Sequence, residues 1–257
     1  MSLIFKGTAW PERPQVLVPG CGTGYHPLLL ASRHPETDIL ALDLSLTSLA
    51  YAIRKQEELE IPNVRFCQAD LLLLGDLDER VDYIDCAGVL HHLESPLQGW
   101  RVLSGMLEPA GVMRIGLYSK LARKTIAMAR EKIAELGVPG TADAIREFRQ
   151  SVMSDPELSE LRSLARTTAD FYSMGGVRDL IFHEQEHRFD LPTIRQHLDA
   201  LGLRFGGFLL SDRDVVRRFH ASYPATDQWL DLGCWAEFEA QYPKTFYGMY
   251  QFYCLKA

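Results

Sequence analysis

Short apolar runs alternate with stretches of helical periodicity through the first half of the chain. The apolar runs begin at Val16, Thr37, Asn63, Val81 and Val112, and each has the length of a strand buried on both faces. Residues 45–60 are typical of the stretches between them, with apolar positions on one helical face and a stop before Pro62. Strands that alternate with helices predict an α/β fold with a parallel sheet.

The pattern changes after Tyr118. Helical stretches follow at 120–136, 142–152 and 157–169, and β-rich runs follow these at 204–210 and 248–255. Because these helices stand between the fifth and sixth strands, we expect them to lie over the carboxyl ends of the strands, where ligands bind in such sheets. We divide the chain into 1–118, a helical lid or substrate-recognition insertion at 119–203, and 204–257, which completes the sheet with an antiparallel last strand. A helical buttress on one face of the sheet is the alternative for the insertion.

The first predicted strand ends in a glycine-rich loop. Gly20, Gly22 and Gly24 are spaced two apart, and a helix is predicted from Tyr25 onward. Glycine reaches positive φ and lets backbone lie against a ligand, and the new helix presents unpaired N–H groups there. A dinucleotide fingerprint needs a third glycine where Tyr25 stands, and no Lys-Ser/Thr pair follows, so this is not a P-loop. A turn without a ligand is the alternative.

An acidic residue ends the second predicted strand. Asp43 follows the first glycine of the loop at the spacing at which a carboxylate accepts hydrogen bonds from both hydroxyls of a ribose. A simpler role is the N-cap of the next helix, which Ser45 could share. We interpret Asp43 as the ribose ligand because it is paired with the glycine loop.

Composition and charge exclude several partners. The chain has 257 residues, is 47% hydrophobic and carries a net charge of -7, with no dense Lys/Arg stretch. This argues against binding to nucleic acid or to an anionic membrane. The five cysteines are scattered, and Cys67 and Cys86 stand in apolar runs, which predicts reduced, buried thiols. With no signal peptide and no run long enough to cross a membrane, we expect a cytoplasmic protein.

The glycine loop resembles motif I of the class I S-adenosylmethionine (SAM)-dependent methyltransferases, of the type 11 and type 12 kind. The phrase Leu107–Gly111 (LEPAG) before an apolar strand is also similar to that family, so the resemblance runs from Val16 to Tyr118. It implies a Rossmann-like sheet of seven strands in the order 3-2-1-4-5-7-6, SAM as cofactor and transfer of its sulfonium methyl group. Val18 departs from the family, in which many members have an acidic residue at that position.

The same resemblance implies a set of cofactor ligands. Asp70, at the end of the third strand, would accept from the adenine amine, although it could simply cap a short helix. The residues implied to contact SAM are Gly20, Cys21, Gly22, Gly24, Asp43, Leu44, Ala69, Asp70, Leu71, Ala87 and Gly88. The family members that methylate amines of nucleic-acid bases carry Asn/Asp-Pro-Pro-aromatic after the fourth strand. Its absence here argues against that substrate class.

Candidates for chemistry on the methyl acceptor are few. His91, just after the fourth strand, could serve as a general base, or it could pack or cap the following helix. Tyr118, at the end of the fifth strand, and His183 and His187 in the insertion are candidate acceptor ligands. The two insertion histidines form a literal H-E-x-x-H motif, but it has no third-ligand continuation and Pro192 soon starts a new helix. We therefore expect no metal there.

A narrower resemblance concerns the rest of the chain. Residues 178–194 and 246–253 look like the methyltransferase domain that is fused to tetratricopeptide-repeat segments in bacterial proteins. It implies a fused or partner repeat domain and leaves open whether this chain is part of a longer protein. Two other functions remain possible at this point: a non-catalytic SAM-binding scaffold module, and an NAD-dependent oxidoreductase, which Tyr25 argues against. The acceptor would be a small molecule or a protein side chain rather than nucleic acid.

Overall fold

The computed structural model describes residues 11–182 and 186–256. Seven strands form one sheet in the order β3-β2-β1-β4-β5-β7-β6, as predicted. Strands β1 to β5 pair in parallel, and β7 lies antiparallel between β5 and β6. The strands are β1 (Gln15–Pro19), β2 (Asp38–Asp43), β3 (Val64–Gln68), β4 (Val81–Ala87), β5 (Leu107–Tyr118), β6 (Leu203–Phe208) and β7 (Met249–Lys256).

Ten α-helices are described between and after these strands. They are α1 (Tyr25–Arg33), α2 (Leu46–Glu58), α3 (Pro96–Met106), α4 (Lys124–Leu136), α5 (Ala142–Ser154), α6 (Arg162–Thr167), α7 (Met174–Ile181), α8 (Leu191–Leu201), α9 (Arg213–Ser222) and α10 (Leu232–Gln241). Short 3₁₀ turns at 71–76, 90–92, 156–161, 169–172 and 227–230 complete the chain. None of the helices described here is long and apolar enough to cross a membrane.

Strand β5 begins earlier than the sequence predicts. Residues 107–111, expected to be a turn, belong to the strand, which carries a register shift against β4 between Val81 and Tyr83. Ala110 takes a positive φ of 63° in this stretch. An irregularity of this kind absorbs extra residues without ending the pairing, so the Pro-Ala-Gly signal marks a distortion inside the strand rather than a turn before it.

The helical insertion is more broken than its periodicity predicts. The expected helix at 157–169 is a 3₁₀ turn followed by the short α6, and α4 starts at Lys124 rather than Lys120. Helix α7 was not predicted, because Gly175 and Gly176 in its first turn lower helix propensity. Its Ser173 cap and the burial of its apolar face compensate for them.

Two main hydrophobic cores stabilise the chain. One lies against the sheet and includes Leu17, Ile84, Trp100 and Phe252. The other belongs to the insertion and is built from side chains between Ile126 and Ile181. Helix α8 packs its apolar residues into the core of the sheet, although it precedes residue 203. The self-contained part of the insertion is therefore 126–182.

The thiols do not all match the prediction. All five cysteines are free, and Cys86 and Cys254 are buried, but Cys67 is exposed. Cys67 lies on β3, which is the edge strand of the sheet and is buried only at Val64. An apolar run at an edge need not be covered on both sides, so the prediction that Cys67 is buried was wrong.

Candidate functional site

The glycine loop has the backbone geometry that its sequence predicts. Gly20, Gly22 and Gly24 all have positive φ, at 65°, 54° and 80°. A Cβ on Gly20 would overlap the side chain of Val89, and one on Gly24 would come within 2.5 Å of Ala52. A Cβ on Gly22 would meet nothing within 4 Å. The outer glycines are therefore needed for packing, whereas the middle one leaves open space beside the backbone.

Asp43 connects the glycine loop to the end of β2. One carboxylate oxygen accepts from the Gly22 N–H at 2.7 Å and the other from the Ser45 N–H at 2.8 Å. The N-cap of α2 is Ser45, whose hydroxyl accepts from the Ser48 N–H, so the capping role considered for Asp43 is wrong. Each carboxylate oxygen has a second acceptor site, and these sites fit the two hydroxyls of a ribose.

The residues expected around the adenine lie at the ends of β2 and β3. The Ala69 N–H donates to the Asp43 carbonyl at 3.3 Å, which holds this turn beside Asp43. Asp70 caps the following 3₁₀ turn by accepting from the Leu72 N–H at 2.9 Å, so its capping role is present. Leu44 is 66% exposed, whereas Leu71 is buried in the core of the sheet. Contact with a ligand is therefore easier for Leu44 than for the side chain of Leu71.

The end of β4 lies beside the glycine loop and the ends of β2 and β3 in the candidate site. Gly88 has φ 83° and space where a Cβ would stand, and its N–H donates to the Gly116 carbonyl at 3.3 Å. Ala87 pairs with Gly116 on β5, so the neighbouring strand ends are also made of small residues. Gly22 and Gly88 each leave open space where a Cβ would stand, and they follow the neighbouring strands β1 and β4 at the carboxyl edge of the sheet. We call this stretch of open backbone the cradle, and it leaves room for the group that the resemblance implies.

Cys21, between Gly20 and Gly22, packs partly buried against a hydrophobic cluster and is not a thiolate. Burial, and secondarily the charge of Asp43, raise the pKa of its thiol to about 12. A thiol with this pKa is protonated at neutral pH and is a weak nucleophile. The contact implied for Cys21 therefore involves its backbone or a neutral thiol.

Tyr118, the candidate acceptor ligand at the end of β5, lies in a stack of side chains. The His91 ring stacks on one face of the phenol, with ring centroids 3.6 Å apart and planes inclined by 23°. The guanidinium carbon of Arg123 lies 3.5 Å from the centroid of the phenol ring. Burial raises the pKa of the Tyr118 hydroxyl, although the charge of Arg123 opposes this. Tyr118 is therefore a protonated phenol at neutral pH.

His91 is not at the mouth of the site. Its side chain is completely buried, so in this structure it cannot contact an acceptor directly. Its place just after β4, from which a role as general base was inferred, is instead one in which its ring packs against Tyr118. His92 is partly exposed and meets the His91 ring edge-on, with centroids 4.4 Å apart.

The H-E-x-x-H segment of the insertion contacts the turn after β4 that carries His91. His183 lies outside the described residues. The His187 N–H donates to the His91 carbonyl at 2.8 Å, which brings these two predicted residues together. Residues 186–188 are not helical, whereas the zinc motif places both histidines on one helix. That this segment binds no zinc stays a prediction, which metal analysis of the purified protein would test.

Sequence reasoning missed the charged residues of the site. Glu186, which lies within the H-E-x-x-H segment, pairs with Arg123 and Arg130 of the insertion. Asp85 of β4 is 3% exposed and pairs with His26 at 2.8 Å and with Arg114 at 3.0 Å. Each pair joins residues far apart in the chain, so no local pattern signals it. The only hint was a pair of acids, Asp82 and Asp85, inside the strand β4.

Comparisons with known proteins agree with this geometry. Residues 16–111 match a family described as a methyltransferase domain. The chain is 32% identical over 239 residues to an uncharacterised protein of Synechococcus sp., in an alignment that covers 88% of this chain and 56% of that protein. It is 28% identical over 207 residues to trans-aconitate 2-methyltransferase of Methylobacterium nodulans, covering 80% of this chain and 74% of that protein.

Solved structures share the fold. PKMT2 from Rickettsia typhi superposes with a TM-score of 0.71 at 19% identity, over 98% of this chain and 50% of that chain. The same protein in complex with AdoHcy gives a TM-score of 0.69 at 18% identity, over 96% of this chain and 50% of that chain. The chain thus spans about half the length of these relatives. It carries a match to a methyltransferase domain over residues 16–111, and its sheet has the strand order of the class I methyltransferase fold.

Proposed function

We propose that the chain transfers the methyl group of SAM to an acceptor that is a small molecule or a protein side chain. The observation that carries the proposal is the Asp43 carboxylate, hydrogen-bonded to Gly22 beside a cradle of open glycine backbone. Each oxygen of this carboxylate accepts from one backbone N–H, that of Gly22 or Ser45, and can accept one further hydrogen bond. The match of residues 16–111 to a methyltransferase domain supports the same proposal.

The residues of the cradle have separate roles in this proposal. SAM supplies an electrophilic methyl group, so the protein has to bind, orient and exclude water rather than create a reactive group. Asp43 accepts the ribose hydroxyls, Asp70 accepts from the adenine amine, and Gly22 and Gly88 let the backbone approach the cofactor. Tyr118 and the insertion face the acceptor.

Charge, motif content and one relative bear on the class of acceptor. The net charge of -7 and the absence of the Asn/Asp-Pro-Pro motif disfavour nucleic acid. One relative is named for a small carboxylic acid, trans-aconitate, at 28% identity. The inferred tetratricopeptide-repeat fusion or partner stays a prediction from the residues at 178–194 and 246–253.

The test measures binding and transfer on one preparation. Calorimetry should show SAM binding at one site per chain. Methyl-labelled SAM is then incubated with the protein and a panel of aliphatic carboxylic acids, primary amines and lysine-containing peptides, and label should reach one class. NAD binding in place of SAM would contradict the proposal. If the protein binds SAM but transfers no label to the panel, the assay is repeated with whole protein and small-molecule extracts. Absence of transfer there as well would favour the scaffold module. The burial of His91, which removes one candidate base from the surface, is consistent with that alternative.

A further inference from the structure

A short segment of the insertion is fastened across the ends of two strands. We call residues 186–189 the strap. The His187 N–H donates to the His91 carbonyl after β4, and the Phe189 N–H donates to the Tyr118 carbonyl at the end of β5, both at 2.8 Å. The Lys120 N–H returns a bond to the Phe189 carbonyl at 2.7 Å. The strap therefore continues the pairing of the sheet beyond β5.

The strap also carries the anchor of the Tyr118 stack. Glu186, with a side chain only 2% exposed, binds Arg123 through two hydrogen bonds, of 3.0 Å from Nε and 2.7 Å from Nη2. Arg130 adds a contact of 3.4 Å to the same carboxylate. A bidentate pair fixes the plane of a guanidinium, and the fixed plane is the one that covers Tyr118.

We propose that Tyr118 is the hydrogen-bond donor that orients the methyl acceptor, and that Glu186 of the strap is a positioning residue that acts on it through Arg123. This inference rests on the proposed function. Tyr118 ends β5 two residues after Gly116, whose carbonyl accepts from the N–H of Gly88, where the cofactor's reactive end is expected. With His91 on one face and Arg123 on the other, the ring offers only its edge and its hydroxyl.

The geometry restricts the chemistry of the acceptor. A covered ring cannot hold a quaternary ammonium group or a flat ligand against its face, so recognition through cation–π contact at Tyr118 is excluded. A protonated phenol donates one hydrogen bond, and its partner must carry a lone pair. The acceptor therefore presents a lone pair on oxygen or nitrogen, as in a carboxylate, a carbonyl, a hydroxyl or a neutral amine, beside the atom that is methylated.

The decisive experiment is a double-mutant cycle on methyl transfer. Tyr118→Phe should lower kcat/KM for the acceptor at least about tenfold, while the Kd for SAM changes less than twofold. Arg123→Lys keeps the charge but loses the planar bidentate pair, and it should cause a similar loss. The double variant should be no worse than Tyr118→Phe alone, because Arg123 acts through Tyr118. Glu186→Gln provides a second, milder variant for the same cycle.

Matched controls separate this role from general stability. Arg146→Lys changes an exposed arginine of the same insertion and should leave kcat/KM unaltered. Tyr118→Phe with kcat/KM within twofold of wild type would overturn the inference while leaving the proposed function intact. Additive losses in the cycle would overturn the role of Arg123 and Glu186. Loss of SAM binding in a folded Tyr118→Phe variant would place Tyr118 in the cofactor site instead.

A spectroscopic readout needs no acceptor. The ultraviolet difference between wild type and Tyr118→Phe isolates the ionisation of one tyrosine. The charges that face it are Arg123, which favours the phenolate, and Glu186, Asp170 and Asp179, which disfavour it. In Glu186→Gln the Tyr118 ionisation should move to lower pH, because Arg123 is then less opposed. An unmoved ionisation would show that Glu186 does not act on Tyr118.

Discussion

The glycines of the loop differ in what an added methyl group would meet. Gly22 and the distant Gly137 have similar positive φ values, 54° and 61°, and open space around a built Cβ. Gly22→Ala and Gly137→Ala should therefore each lose about 1 kcal/mol of unfolding free energy from backbone strain. Only Gly22→Ala should weaken SAM binding, because its methyl group enters the cradle.

Gly24→Ala should destabilise the fold more than Gly22→Ala does. Its Cβ would stand 2.5 Å from the Ala52 Cβ, so α1 or α2 would have to move. Thermal unfolding should show a larger loss of stability than either Gly22→Ala or Gly137→Ala. A Gly22→Ala variant that binds SAM like wild type would remove the middle glycine from the proposed cofactor site.

Two of the thiols, Cys21 and Cys67, should react differently. Partial burial and the charge of Asp43 raise the pKa of Cys21 to about 12, whereas Cys67 is exposed on the edge strand. Iodoacetamide at neutral pH should label Cys67 first, and the rate at Cys21 should rise with pH towards 12. Peptide mapping checks this, with Cys67→Ser as the control that removes the fast product. Labelling of Cys21 at neutral pH as fast as that of Cys67 would contradict the raised pKa of Cys21.

At the scale of elements, a buried carboxyl connects β5, β7 and α10. Glu239 is 6% exposed, accepts from the Tyr250 hydroxyl at 2.9 and 2.7 Å, and lies 3.3 Å from the Ser119 hydroxyl. Burial raises the pKa of Glu239 above its ordinary value. The folded state then holds this proton more tightly than the unfolded state. The free energy of unfolding should therefore fall as pH rises from the ordinary to the raised pKa.

Glu239→Gln should remove that pH dependence. The amide keeps an oxygen for Tyr250 and never ionises, so the variant should be at least as stable as wild type above neutral pH. Chemical denaturation across pH 4–9 measures it, and Glu237→Gln on the exposed face of α10 is the control. If the slope of wild type survives in Glu239→Gln, another group is responsible for it.

The elements show where sequence reasoning was sufficient. The strand order was predictable because each motif from Gly20 to Gly111 occurs in the order of the fold, and α1 begins at Tyr25 as predicted. Cofactor residues follow strand ends, so their proximity could be inferred from topology. Sequence reasoning could not predict the burial of His91 or the Arg123–Glu186 pair, because both depend on how the insertion packs back against the sheet.

For the whole molecule, the insertion should govern the acceptor and contribute little to cofactor binding. All the residues of the cradle precede residue 119, and the insertion has a core of its own. His183→Ala/His187→Ala should therefore bind SAM nearly normally and lose acceptor turnover. Calorimetry and methyl transfer on one sample check this, with the partly exposed His34 and the exposed His220, both changed to Ala, as control. Collapse of SAM affinity in a folded double variant would make the insertion part of the cofactor site.

The central claim is that Asp43 and the glycine loop form a SAM site, and calorimetric titration of SAM into Asp43→Ala tests it most directly. The variant loses the ribose contacts and also the bonds to Gly22 and Ser45, so the SAM Kd should rise about tenfold or more while the fold is kept. Asp38→Ala, at the other end of β2, should bind SAM like wild type. An unchanged Kd in Asp43→Ala would contradict the account.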